Sequence, residues 1–178
     1  MNIHYHISTT LLTSLLIFNS GCSESSNREA KSEKAKISDS FMSKKDLGMA
    51  LSVIELTENN YTGKEFIIEG FIGGRKKPFA QNSALFILGD HSLQTCDEKA
   101  KDNCPTPWDV CCEDRKKVAS STLSVQVLDS KGMLLSGTLD GVEGLEAGAH
   151  VKVKGRLDQN SQTNAFIINA KNIYLARN

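Results

Sequence analysis

Most of the side-chain chemistry available to this 178-residue chain lies in its five cysteines. Four of them, Cys96, Cys104, Cys111 and Cys112, fall in one short stretch with the spacing C-x7-C-x6-C-C. Four thiols in a compact polar stretch can form two disulfides. Four cysteines allow three connectivities. The one that joins adjacent Cys111 and Cys112 is strained, which leaves Cys96–Cys111 with Cys104–Cys112, or Cys96–Cys112 with Cys104–Cys111. The same thiols suit a soft metal, Zn²⁺ or Cu⁺, and His91, Asp97, Asp109 and Glu113 lie close enough in sequence to add or replace ligands. The spacing has no C-x2-C knuckle, the tight turn that sets two sulfurs on one ion. Two disulfides are therefore the first expectation and a Zn or Cu site the alternative, with no other cofactor expected.

The fifth cysteine belongs to a different pattern. Residues 10–18, TLLTSLLIF, form an uncharged apolar run, too short to span a bilayer and of the length of a signal-peptide core. Ser20, Gly21 and Cys22 follow directly. A small-small-Cys sequence after such a core resembles the lipobox of bacterial lipoproteins. The resemblance implies a signal peptide at residues 1–21, transfer of a lipid to the Cys22 thiol, cleavage before Cys22 and acylation that labelled palmitate would report. It also implies a cell-envelope location, lipid-anchored at the membrane. Ser23, not Asp, beside the anchor points to the outer membrane, on its periplasmic side or at the surface. An exported chain works in an oxidising compartment, and with Cys22 lipidated an even four cysteines remain, which supports pairing.

Other chemistry is sparse. Glu55, Glu69, Asp90 and the interior His91 and His150 form no spaced catalytic set. No G-x-S-x-G, H-E-x-x-H, Walker A or C-x-x-C motif occurs, so no catalytic residue is assigned and the chain is not expected to be an enzyme. Neither histidine lies in a His-x-x-x-Tyr haem-attachment motif, and there is no C-x-x-C-H. Lys+Arg and Asp+Glu stand at 21 each, and residues 61–178 hold 15 bases against 14 acids. No basic field of the kind that coats nucleic acid is expected.

The elements that must position these residues are legible from composition and pattern. Residues 22–43 form a lipid anchor followed by a Ser-, Lys- and Glu-rich segment that reads as a flexible tether. Residues 44–60 are a helical lead-in. Ser52 and Glu55 have the S-x-x-E spacing of a capping box, which predicts a short helix over 53–59. Residues 65–72, EFIIEGFI, read as a strand bent at Gly70. Further strands are expected over 83–88, 122–128 and 150–157, and over 165–170 with 173–175 after a kink near 169–172. A Cys-rich loop insertion occupies residues 91–117.

Five short strands, the first bent by a glycine, suit a small sheet that coils onto itself. The frame of Tyr61, Gly63-Lys64, Ile68-Glu69-Gly70, residues 84–90 (ALFILGD), Gly144-Leu145, Gly148, residues 151–155 (VKVKG), Ile168, Ala170 and Ile173 resembles the OB-fold. It is similar to the helicase/tRNA-anticodon type of nucleic-acid-binding domain and its exported relatives. The fold class expected is all-β: a five-stranded OB-fold barrel over 61–178, with a short N-terminal helix and a Cys-rich loop insertion. The run CPTPWDVCCE at 104–113 resembles an insertion in exported proteins of planctomycete-type bacteria, a resemblance that implies no particular activity.

The function expected is that of an exported, lipid-anchored binding or interaction module of the cell envelope, whose partner is an envelope protein or a small ligand. Single-strand nucleic-acid binding is the fold-level alternative, and metal binding through the cysteines is another. The candidate ligand-binding residues are Arg75, Lys76, Lys77, Phe79 and Trp108. In the nucleic-acid alternative, Phe71, Phe79 and Phe86 would stack bases and the basic triplet would meet phosphates. Against it, Phe71 and Phe86 alternate with apolar residues as core positions do, and the triplet reads as a solvated loop. Trp108 is read first as the small core under the insertion and second as an exposed platform.

Overall fold

A computed structural model describes residues 37–59, 61–98, 104–161 and 165–176. The chain divides into two units between Glu33 and Lys34, and all described residues lie in the second. Residues 1–21, read as a signal peptide, and Cys22 lie outside the described residues. No helix among those residues is long and apolar enough to cross a membrane.

The elements in chain order are β1 (Met42–Ser43), α1 (Val53–Glu58), β2 (Phe66–Ile72), β3 (Leu85–Gly89), α2 (Arg115–Ser120), β4 (Thr122–Val127), β5 (His150–Leu157) and β6 (Ile167–Leu175). Strands β2, β3, β4, β6 and β5 pair in that order, and β5 pairs back to β2. The result is a closed five-stranded barrel with the connectivity of an OB-fold. Every pairing within it is antiparallel except β4 with β6. The fold is the all-β barrel expected, with the short helix before it and the insertion inside it.

Period-2 patterning drives closure. Leu123, Val125 and Val127 of β4 and Val151 and Val153 of β5 point inward, alternating with more exposed residues. They meet Ile68, Ile72, Phe86, Leu88, Ile168 and Ile173 in one apolar core, each such side chain contributing about 1.5–3 kcal/mol on burial. At Gly70 a Cβ would meet the Gly89 carbonyl oxygen, so this position admits β3 only as glycine. That approach lets β2 pass from β5, paired over Phe66–Phe71, to β3, paired at Phe71 and Ile72. In β6 the expected kink is a bulge. The register on β5 shifts between Lys154 and Gly155, leaving Lys171 as the extra residue.

The capping box forms as its spacing predicts. The Ser52 hydroxyl accepts from the Glu55 N–H at 3.1 Å, and the Glu55 carboxylate accepts from the Ser52 N–H at 2.7 Å. Leu51 bonds to β2 through the Ile67 carbonyl and the Glu69 N–H, which sends Val53 and Leu56 of α1 into the core.

Two boundaries differ from the pattern. The tether does not run to residue 43, because Ile37 packs against the core and Phe41 is buried in it at 6% exposure. β1 then pairs in parallel with β6, taking over where β4 leaves that strand. Beyond β1, Lys152 holds the next segment to the barrel through Asp46, at 2.8 Å, and the Gly48 carbonyl. The insertion, expected as a loop over 91–117, ends in helix α2, whose first turn is capped by the Asp114 carboxylate accepting from the Lys116 and Lys117 N–H groups.

Candidate functional site

The insertion leaves the barrel at Asp90 and returns at Ser121, residues joined by a backbone hydrogen bond of 2.9 Å. Asp90 is 4% exposed. Its carboxylate accepts from the Ser92 N–H at 2.9 Å and from the Ile54 N–H of α1 at 3.1 Å. Burial pushes its carboxyl up, but the hydrogen bonds from Ser92, Ile54 and Val53 outweigh that push and hold it below the ordinary value. One buried anion thus anchors both the start of the insertion and the N-terminus of α1.

A small core under the insertion fixes it to the barrel. Phe71, Leu93 and Val110 are buried together, with Val118 against them. Within the insertion, the Cys96 N–H donates to the Asp109 carbonyl at 2.9 Å and the Asp97 N–H to the Pro107 carbonyl at 3.3 Å. This pairing brings the two halves of the cysteine stretch side by side. The Glu113 carboxylate accepts from the Gln94 N–H at 2.9 Å and pairs with Lys117 at 3.1 Å.

Trp108 is therefore not the core of the insertion. It is half-buried, tied at both ends to the β2–β3 loop. Its carbonyl accepts from the Gly74 N–H at 3.1 Å, and its indole N–H donates to the Lys76 carbonyl at 3.2 Å. The approach requires glycine at 73, where a Cβ would lie 2.6 Å from the Trp108 carbonyl oxygen. The indole lines two cavities, of about 370 and 640 Å³. The smaller is walled by Phe71 and His150 from the barrel side and by His91, Asp97, Glu98 and Pro107 from the insertion. The larger is lined by Lys76, Lys77, Pro78, Phe79 and Asp140, and Glu146 borders both.

No protein-family model, curated protein or solved structure matches the chain.

Of the candidate ligand-binding residues, Lys76, Lys77, Phe79 and Trp108 come together around the larger cavity. Arg75 is exposed beside them but is not part of its lining. Phe79 is a correction to the expectation of an open stacking platform. It is 8% exposed and packs on Phe86 with ring centroids 6.1 Å apart. Phe71 and Phe86 are core residues, as their alternation indicated.

The pattern missed the histidines. His91 and His150 stack with centroids 5.0 Å apart and planes 14° from parallel. Burial, and then the neighbouring charge on His91, lower the pKa of His150. No local signal joins two residues so far apart in sequence. The contact follows from register, since His150 pairs with Phe71 and Phe71 with Gly89, two residues before His91.

No disulfide links the four described cysteines. The Cys96 and Cys111 sulfurs are 3.4 Å apart and those of Cys111 and Cys112 are 3.8 Å apart, beyond the roughly 2.05 Å of an S–S bond. The sulfurs of Cys96, Cys104 and Cys111 all lie within 4.8 Å of one another. Burial raises the Cys96 pKa, and the hydrogen bond with Cys96 raises that of Cys111.

A further concavity of about 630 Å³ is lined in part by Glu65, Arg156, Asp158, Asn169 and Lys171. Glu65 pairs with Lys154 and Lys171, and Asn169 donates to Asp158 and accepts from Gln126.

Proposed function

We propose that this chain is an exported, lipid-tethered module of the bacterial cell envelope that binds a ligand without catalysis in the cleft between barrel and insertion. The observation that carries the reading is Trp108, a half-buried residue held at both its carbonyl and its indole N–H and lining two cavities. A rigid aromatic wall with a few convergent polar groups is the usual makeup of a ligand site. The ligand class that fits is a ring with one apolar face and polar edges, stacked on the indole, its edges meeting Lys76, Lys77 and Glu146. A non-catalytic role fits how the acids are used. Glu55 is engaged in its capping box and Asp90 in holding α1.

Export and tethering rest on residues 10–22, the apolar run that ends in Ser20, Gly21 and Cys22. Labelled palmitate is expected to mark the full chain and to be absent from Cys22→Ser. Label retained by that variant would rule out the anchor.

Trp108 is the sole tryptophan of the chain, so its fluorescence reports the cleft directly. Soluble cell-wall glycan fragments are expected to change it saturably in the wild type and several-fold more weakly in Lys77→Ala. A second reading, single-strand nucleic-acid binding, is favoured by one observation: Arg75, Lys76 and Lys77 are all exposed on the β2–β3 loop beside Trp108, a loop that OB-folds use for oligonucleotides. A short oligothymidylate tests it in the same assay, and a response that vanishes with salt would favour it. No saturable change with either probe at low salt would sink the cleft reading.

A further inference from the structure

The cleft leaves the cysteines unexplained. Each disulfide takes sulfurs two at a time and draws each pair to a bond length. The arrangement here is a single knot. Cys96, Cys104 and Cys111 lie mutually within 4.8 Å, and Cys111 also has Cys112 at 3.8 Å. Tetrahedral coordination with metal–sulfur bonds near 2.3 Å separates the sulfurs by about 3.8 Å. The observed 3.4 and 3.8 Å separations sit near that value.

Local structure builds the knot from two sides. Cys96 opens a short 3-10 turn (Cys96–Glu98) and is 1% exposed, its N–H held by the Asp109 carbonyl. Cys111 and Cys112 follow Val110, which is anchored in the small core under the insertion. Cys104 enters from the other end of the Pro105–Pro107 stretch, its sulfur against the Thr106 hydroxyl at 3.4 Å. The missing C-x2-C knuckle is thus replaced by backbone pairing between residues 96–97 and 107–109.

We propose that the cysteine stretch is a metal site: one thiophilic d10 ion held by the thiolates of Cys96, Cys104 and Cys111, with Cys112, outside that mutual cluster but 3.8 Å from the Cys111 sulfur, turning in as fourth ligand where the ion is tetrahedral. Each ligating thiol gives its proton to water as its sulfur bonds the ion, so uptake releases protons and weakens as pH falls. No electron transfer is required. The ion stabilises an insertion that, among the described residues, contributes Leu93 and Val110 to the small buried core it shares with Phe71 of β2. It also fixes the backbone that carries Trp108, which lies between Pro107 and Asp109. The site does not depend on what occupies the cleft, and metal binding is read independently of Trp108 fluorescence.

The test uses the full chain, fully reduced under anaerobic conditions and titrated separately with Zn²⁺ and Cu⁺ against a chromophoric chelator. Native mass counts the ions, and Co²⁺ is a spectroscopic stand-in. One ion per chain is expected, with thiolate-to-cobalt charge-transfer absorption. Cys104→Ser and Cys111→Ser should each weaken binding more than about 100-fold, since loss of a direct ligand exceeds the loss from an outer partner. These two positions are half-buried and exposed, so their variants keep the barrel core, whereas Cys96→Ser touches a buried site. Cys112→Ser distinguishes the ions: it weakens a tetrahedral Zn²⁺ site and spares a three-coordinate Cu⁺ site. No uptake of either ion by the reduced chain, or wild-type affinity in both Cys104→Ser and Cys111→Ser, would overturn the proposal.

Discussion

Asp90 is the residue on which most of the local structure converges. Its carboxylate serves the Ser92 and Ile54 N–H groups at once, and the two belong to elements distant in sequence. Asp90→Asn keeps the shape but turns an amide N–H₂ toward backbone donors. It is expected to cost about 1–3 kcal/mol, the range for leaving a buried polar group unsatisfied, measured by urea denaturation. The pH dependence follows from the direction of the shift. The folded pKa is held below the ordinary carboxylate value of about 3.9. The stabilisation is therefore complete above that value and is lost as pH falls from there through the folded pKa. The wild type should lose stability over that acid range, and Asp90→Asn should show a flatter acid limb. An unchanged limb would show that Asp90 does not set it. The sequence shows Asp90 only as a polar residue after a strand, because its partners at positions 53 and 54 come from another element.

At the scale of elements, the strands were readable and their neighbours less so. β4 and β5 alternate cleanly because one face of each is buried, and the capping box marks α1 without tertiary help. β1 escaped notice because two residues in an otherwise polar segment carry no period. Only Phe41, Met42 and Ile37 hinted at burial. Helix α2 was hidden for a related reason: RKKVAS has no buried residue, so it lacks an apolar face to announce it, and its N-cap Asp114 is the single local cue. The cysteine knot was legible by residue type but not by partner, since the 96–109 backbone pairing decides which sulfurs meet. Gly70 carries the sharpest element-level prediction. Gly70→Ala places a Cβ 2.4 Å from a carbonyl oxygen on β3 and should destabilise by about 1–3 kcal/mol, as overpacking does, lowering the urea midpoint. An unaltered midpoint would mean that the β2–β3 approach relaxes freely.

For the molecule as a whole, the barrel begins earlier than composition suggests. A chain that begins at Lys34, the start of the second unit, is the reference. Deleting residues 1–43 removes Phe41 from the core and β1 from β6, and should lower the midpoint clearly. Equal midpoints for the two truncations would show that β1 contributes nothing. The closed sheet also explains why so short a set of strands encloses a core. Every barrel strand has a neighbour on both sides within the ring, so the ring has no open edge strand of the kind an open sheet would leave.

The point of exit has a further meaning. Gly89 and Thr122 face each other across β3 and β4, so the insertion departs and rejoins at adjoining rungs of one ladder. Its length is invisible to the register of the barrel, because widening such a loop adds only slowly to the entropy of closing it. In connectivity the insertion is a cassette that a lineage could lengthen or trade without rethreading the sheet, while its packing ties it to Phe71 and the β2–β3 loop of this barrel.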